Sequence, residues 1–125
     1  MRKIAFANQK GGVGKSTSCI NIAAILGSKN YKVLVIDLDP QGNCTQGFGL
    51  DENKLQGEII VYDVLINEKS IEEAIINTEY KNVDLVPSYI VLANAELELA
   101  SVMSRETILQ NALIDSNIDY DYILF

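Results

Sequence analysis

At 125 residues the chain has the length of one domain, or of one piece of a larger one. With 48% hydrophobic and 22% charged residues it is neither disordered nor a polar tail. The net charge is −7 and there is no histidine, which excludes Ser-His triads and His-ligated zinc and leaves Asp, Glu, Lys or Tyr for any general base.

No apolar run reaches the ~18 residues that span a bilayer. The basic start MRKIAFANQKGG has no apolar stretch behind it of the kind a signal peptide needs, so a soluble, cytoplasmic protein is expected. Cys19 and Cys44 are too few for a disulfide framework and form no Cys-x-x-Cys pair. The charge is unevenly placed: Arg2, Lys3, Lys10, Lys15, Lys29 and Lys32 all precede the first acid, Asp37. The acidic balance of the rest argues against a large nucleic-acid footprint on this stretch.

In chain order, Ile4–Asn8 is a short apolar run that predicts a buried strand, followed at once by Gly11, Gly12 and Gly14. From Ser16 to about Lys29, Cys19, Ile22, Ala23 and Leu26 recur at the spacing of a helix with one inward face. Gly27 and Asn30 supply its stop signals. Val33–Asp37 (VLVID) reads as a strand buried on both faces of a parallel sheet, which completes a strand–glycine loop–helix–strand unit. After Pro40, QGNCTQGFGLDENKLQG predicts a loop. Helical stretches are predicted at Ile59–Ile66 and Ser70–Asn77, the second opened by a capping box of Ser70 and Glu73. Val83–Val86 is a strand closed by Pro87, and Leu92 to about Ser116 is helical, with a break near Ser104. Tyr120–Phe125 (YDYILF) begins a last strand. Because the chain stops inside this apolar run, a truncated chain is expected; the alternative is a complete edge strand of a small domain.

The strongest chemical signal is KGGVGKST, Lys10 to Thr17, between a strand and a helix. Phosphate binding needs backbone N–H groups converging on the anion, and glycines permit that backbone. The helix that follows adds its free N–H groups and its positive dipole end. In such a loop, Lys10, Gly11, Gly12, Val13, Gly14, Lys15, Ser16 and Thr17 form the nucleotide cradle. Lys15 offers a charge to the β- and γ-phosphates, Ser16 a hydroxyl to Mg²⁺, and Thr17 a donor to the α-phosphate. The strict pattern G-x-x-x-x-G-K-[ST] fails at one place, where Gln9 stands for the first glycine. The plainer reading, a glycine turn that caps a helix, is weakened by the strands on either side.

The second signal is Asp37-Leu38-Asp39-Pro40-Gln41-Gly42-Asn43, at the C-terminal end of the second strand. Ligands of open α/β sheets bind at that end, and two carboxylates spaced two apart share one side of an extended chain. The plainer alternative is an Asp-Pro that ends a strand.

KGGVGKST resembles the deviant Walker A motif of the ParA/MinD family of ATPases. DLDPQGN, VDLVPS (Val83–Ser88), LANAELEL (Leu92–Leu99) and DYILF resemble its ParA/Soj-type chromosome and plasmid partition members. The resemblance implies a P-loop NTPase-type α/β fold, a parallel sheet flanked by helices with the final strand beside the first. Residues 1–125 would be the N-terminal part of a single ATPase domain (AAA-type, CbiA/ParA-like). It implies that Lys10 reaches the partner's phosphates across a nucleotide-sandwich dimer. It further implies that Asp37 holds Mg²⁺ through a water and that Asp39 orients or activates the attacking water. The catalytic set is then Lys10, Lys15 and Asp39, the metal set Ser16 and Asp37, and the cofactors ATP and Mg²⁺. The implied partners are a second copy on ATP binding, a ParB-type centromere-binding adaptor that stimulates hydrolysis, and non-specific DNA. Localisation would be cytoplasmic and nucleoid-associated, with no membrane partner. Relatives are about twice as long, so the aspartate of their D-x-P motif would fall just past Phe125, and the 125 residues alone are expected to hydrolyse ATP weakly or not at all.

Two other classes compete. One is an ATP-gated reductase like the nitrogenase iron protein, which needs a downstream cysteine pair for a bridging cluster; the other is a non-hydrolysing regulatory fragment. Cys19 is read as a helix core residue and Cys44 as a loop thiol. Glu96 and Glu98 are read as a solvated helix face, and Tyr120 and Tyr122 as packing residues.

Overall fold

Short β-branched and leucine-rich runs set the architecture. The computed structural model describes residues 2–4, 15–37, 42–50, 70–88, 111–114, 116 and 118–124. Its elements are β1 (Arg2–Ile4), α1 (Lys15–Ser28), β2 (Val33–Ile36), α2 (Asn43–Gly47), α3 (Ile71–Ala74), β3 (Ile76–Asn77), β4 (Val83–Val86) and β5 (Tyr122–Leu124). Residues 111–114 are helical as well. The strands form one five-stranded sheet in the order β1-β5-β2-β4-β3. The first four are parallel: β1 pairs β5 (Arg2↔Tyr122), β5 pairs β2 (Val33↔Tyr122) and β2 pairs β4 (Val33↔Val83). The final strand does lie beside the first, and it also lies beside β2.

All four residues of β2 are buried, as a strand covered on both faces requires. Alternation along the strands sorts the core into two layers. Val33, Val35, Val83, Leu85 and Leu124 pack with Cys19 and Ala23 of α1 and with Cys44 and Phe48. Leu34, Ile36, Val86 and Ile123 pack on the other side with Ile71 and Ala74 of α3 and with Leu113. Helices therefore cover both faces of the sheet. Among the described residues no helix is long and apolar enough to cross a membrane.

Several expectations are corrected in detail. The inward face of α1 runs through Cys19, Ala23 and Gly27, whereas Ile22 is 36% exposed. Gly27 is not a stop signal but a contact point: a Cβ there would sit 2.1 Å from the Lys81 carbonyl oxygen. The helix predicted over Ser70–Asn77 lasts only from Ile71 to Ala74. Its capping box forms as expected, with the Ser70 N–H donating to Glu73 Oε2 (3.0 Å) and the Glu73 N–H to Ser70 Oγ (3.3 Å). Ile75 then turns extended, and Ile76–Asn77 pair antiparallel to β4 through Ile76↔Leu85. The β-branched pair Ile75-Ile76 suits an edge strand better than a helix turn, so the sheet is parallel with one antiparallel edge. The loop predicted after Pro40 contains α2, entered through Gly42 at φ 69°, a left-handed backbone that glycine adopts freely. The helix predicted at Ile59–Ile66, most of Leu92–Ser116 and residues 5–8 of the first strand lie outside the described residues.

Candidate functional site

Because β1, β5, β2 and β4 are parallel, their C-terminal ends at Ile4, Leu124, Ile36 and Val86 share one edge of the sheet, the edge where α/β proteins bind ligands. The segment after β1 leads into α1, which opens at Lys15, so Lys15, Ser16 and Thr17 form its first turn. The first N–H groups of a helix have no acceptor within it, and the positive end of its dipole lies there. Lys10, Gly11, Gly12, Val13, Gly14 and Asp39 lie outside the described residues, as do Glu96 and Glu98.

Asp37 is the first residue beyond β2, and its N–H continues the ladder by donating to the Val86 carbonyl (3.0 Å). By the same alternation as Val33 and Val35, its side chain belongs to the α1 side of the sheet. The residue is only 3% exposed. Its Oδ2 accepts two hydrogen bonds from Thr45 in α2, one from the backbone N–H (2.9 Å) and one from Oγ1 (2.5 Å). Thr45 Oγ1 in turn accepts from the Ser88 N–H (2.9 Å), just past β4. Thr45 and Ser88 are as deeply buried as Asp37. One hydroxyl thus ties the ends of two neighbouring strands to α2.

The thiols lie directly below this cluster. Cys19, one turn into α1, meets Cys44 of α2 in the same apolar layer, so Cys44 is a core residue rather than a loop thiol. A hydrogen bond from Cys44 pulls the Cys19 thiol below its ordinary value, against burial and the negative charge of Asp37, which push it up. Thr45, which holds Asp37, follows Cys44 in α2, and Cys44 packs with Cys19 of α1, so the carboxylate lies on the side of the sheet that α1 covers.

Thr45 and Ser88 were not singled out by residue type or spacing. Thr45 sits in a stretch rich in glycine, asparagine and glutamine and Ser88 directly after Pro87, places where hydroxyl residues ordinarily serve turns. The available signal was their position, each falling shortly after the C-terminal end of a strand that reads as buried.

The opposite edge of the sheet carries a separate polar feature. Tyr120 donates its hydroxyl to Asp84 Oδ2 (2.7 Å); burial, reinforced by that bond, raises the Tyr120 hydroxyl well above its ordinary value. These two residues line a cavity of about 440 Å³ with Lys32, Asn77, Asn82, Ile118 and Asp119. Tyr122 packs edge-on against Tyr31, with ring centroids 5.3 Å apart, a packing role as expected.

Among the described residues no group of three or more His, Cys, Asp or Glu side chains could hold a metal ion. The carboxylate chemistry of Asp37 suits a hard cation held by one carboxylate and by substrate phosphates, the usual manner for Mg²⁺. The buried thiols of Cys19 and Cys44 would suit a softer metal.

A family model described as an AAA domain matches residues 1–125. The chain is 44% identical over 121 residues to the sporulation initiation inhibitor protein Soj of Bacillus subtilis (strain 168), covering 97% of this chain and 47% of that protein. It is 42% identical to the chromosome partitioning protein ParA of Myxococcus xanthus (strain DK1622), covering 98% of this chain and 43% of that one. Among solved structures, cobyrinic acid a,c-diamide synthase from Mycobacterium smegmatis with bound ADP and magnesium superposes with a TM-score of 0.84 at 38% identity, over 99% of this chain and 49% of the other. The chain spans about half the length of these relatives. It belongs to the AAA-domain family that this model describes, as a relative of the Soj and ParA partition proteins.

Proposed function

We propose that residues 1–125 are the N-terminal part of a single nucleotide-binding domain in an ATP-hydrolysing, dimeric switch that partitions chromosomes or plasmids. The observation that carries this reading is the buried Asp37, clamped at the C-terminal end of β2 on the side of the sheet that α1 covers, with α1 opening at Lys15, Ser16 and Thr17. An acid beside a phosphate site is electrostatically costly unless it serves a cation or a water. Amides of residues 11–17 would bind the phosphates, and Lys15 would neutralise their charge. Ser16 and Asp37 would hold Mg²⁺, which when bound supplies charge stabilisation to the β- and γ-phosphate oxygens. Asp39 would orient the attacking water, and Lys10 would reach the partner's phosphates as a finger supplied in trans. ATP-dependent dimerisation, DNA binding without sequence preference, stimulation by a ParB-type adaptor and a cytoplasmic, nucleoid-associated location are part of this proposal, and kinship with Soj and ParA supports it. The bound ADP and magnesium of the cobyrinic acid a,c-diamide synthase, which superposes on 99% of this chain, support the same cofactors here.

Cys19 and Cys44 are buried in the core between α1, α2 and the sheet and are not placed to bridge a cluster between two copies; an iron assay of the intact protein tests the reductase reading. A purely regulatory fragment is separated from an ATPase by assaying hydrolysis with and without DNA. The decisive test is Lys15→Ala in the intact protein. A cradle of amides alone does not neutralise a triphosphate in a partly dry site, so calorimetry is expected to find no measurable ATP affinity. Near-normal affinity would overturn the phosphate-site assignment. The 125 residues expressed alone are expected to turn over ATP weakly or not at all.

A further inference from the structure

We propose that Thr45 is a positioning residue for the metal-binding acid: its hydroxyl fixes the Asp37 carboxylate and locks it to the end of β4 through Ser88. The inference rests on the reading of Asp37 given above and adds a residue to it. Three hydrogen bonds meet at two oxygens, Thr45 Oγ1 and Asp37 Oδ2. The Ser88 N–H can only donate, so Thr45 Oγ1 must be its acceptor (2.9 Å). The hydroxyl has a single proton, which is then directed at Asp37 Oδ2 (2.5 Å). The Thr45 N–H donates to the same Oδ2 (2.9 Å). Two donors from one residue on one carboxylate oxygen hold both the place and the rotation of the Asp37 side chain, and a β-branched residue with few rotamers of its own is the stiffest hydroxyl available for the task. All three residues are at least nine-tenths buried, so water does not compete for these bonds. Groups that orient a metal ligand without touching the metal commonly change metal affinity by about 10–100-fold when removed.

The arrangement also has a consequence for coupling. Asp37 follows β2, Ser88 follows β4, and Thr45 belongs to α2 between them in sequence. A shift of the chain around Ser88 would pull on the hydroxyl and through it on the acid.

The test uses the intact protein and a fluorescent ADP analogue titrated with MgCl₂, read as the magnesium concentration that gives half of the metal-induced gain in nucleotide affinity. Thr45→Val keeps shape and loses the hydroxyl; about a 10-fold or larger rise in that concentration is expected, with nucleotide affinity in the absence of metal unchanged. Thr45→Ser restores the hydroxyl and is expected to stay close to wild type. Asp37→Asn serves as the check on the site itself. If Asp37→Asn shifts the magnesium requirement and Thr45→Val does not, the positioning role is overturned and the metal site stands. If Asp37→Asn shifts nothing, the assignment of Asp37 fails and the proposal fails with it. A serine variant as impaired as the valine one would show that the methyl group, not the hydroxyl, matters, and would also overturn it. Should Thr45→Val fail to fold, Thr45→Ala takes its place, and failure of both to fold would reduce Thr45 to a structural residue, against the proposal.

Discussion

Variants of Asp39 and Lys10, in the roles proposed for them, are expected to separate binding from turnover. Asp39→Ala should still bind ATP, because the charge on Lys15 and the amides of the glycine loop remain, while hydrolysis under single-turnover conditions falls by about 10²-fold or more for loss of a water-orienting group. Unchanged turnover would remove Asp39 from the mechanism. Lys10→Gln should leave ATP affinity of the monomer near wild type and weaken ATP-dependent dimers in sedimentation, since a residue acting in trans contributes only when its partner is present. Equally tight dimers would argue for a lysine confined to its own loop. At this scale the place of Asp37 at the end of β2 was legible, because an acid that closes a continuous apolar run stands out, whereas the roles of Lys10, Lys15 and Asp39 are proposals. Thr45 was not legible: a buried hydroxyl and a solvated one are the same letter, and only the fold brings Thr45 to Asp37 and Ser88.

Among the elements, α1 depends on how closely it can approach the turn before β4. A Cβ at Gly27 would meet the Lys81 carbonyl at 2.1 Å and the Val83 side chain at 2.9 Å, and Asn82, itself at φ 63°, donates its side-chain amide to the Gly27 carbonyl (3.1 Å). Gly27→Ala gains about 1 kcal/mol of helix propensity but overpacks against backbone that has no room to yield, at a cost of about 1–3 kcal/mol or more. A net loss in denaturant midpoint is expected, and a stabilised variant would show that α1 can move off the sheet. The strands β2 and β4 were legible from continuous apolar runs and α1 from its spacing. The Ser70–Asn77 stretch was half legible, since its capping box forms as read while Ile75-Ile76 fits either period. Pairing with the exposed side of β4, which no local pattern encodes, decided for a strand.

For the molecule as a whole, the placement of β5 matters more than its length. It lies between β1 and β2, and Ile123 and Leu124 have no exposed surface. Ile123→Val should cost about 1 kcal/mol, whereas Ile123→Asp puts an unpaired charge among Leu34, Ile36 and Leu113. That penalty is comparable to the whole stability of a typical domain, so loss of cooperative unfolding by circular dichroism is expected; a folded Asp variant would mean that β5 is dispensable to the sheet. The same topology imposes an order in time. On a ribosome, β1 emerges first, yet among the described strands its neighbour is β5, which emerges last. The β2–β4–β3 group can pair as soon as residue 86 is out, while the strand that leads toward the glycine loop waits for Leu124. Closing so distant a contact is slow, and until it happens the nascent chain carries β1 without its β5 partner, a strand edge open to wrong partners. The C-terminal edge of the described sheet is therefore completed only when β5 enters it, and the nucleotide site proposed there would wait for the same step.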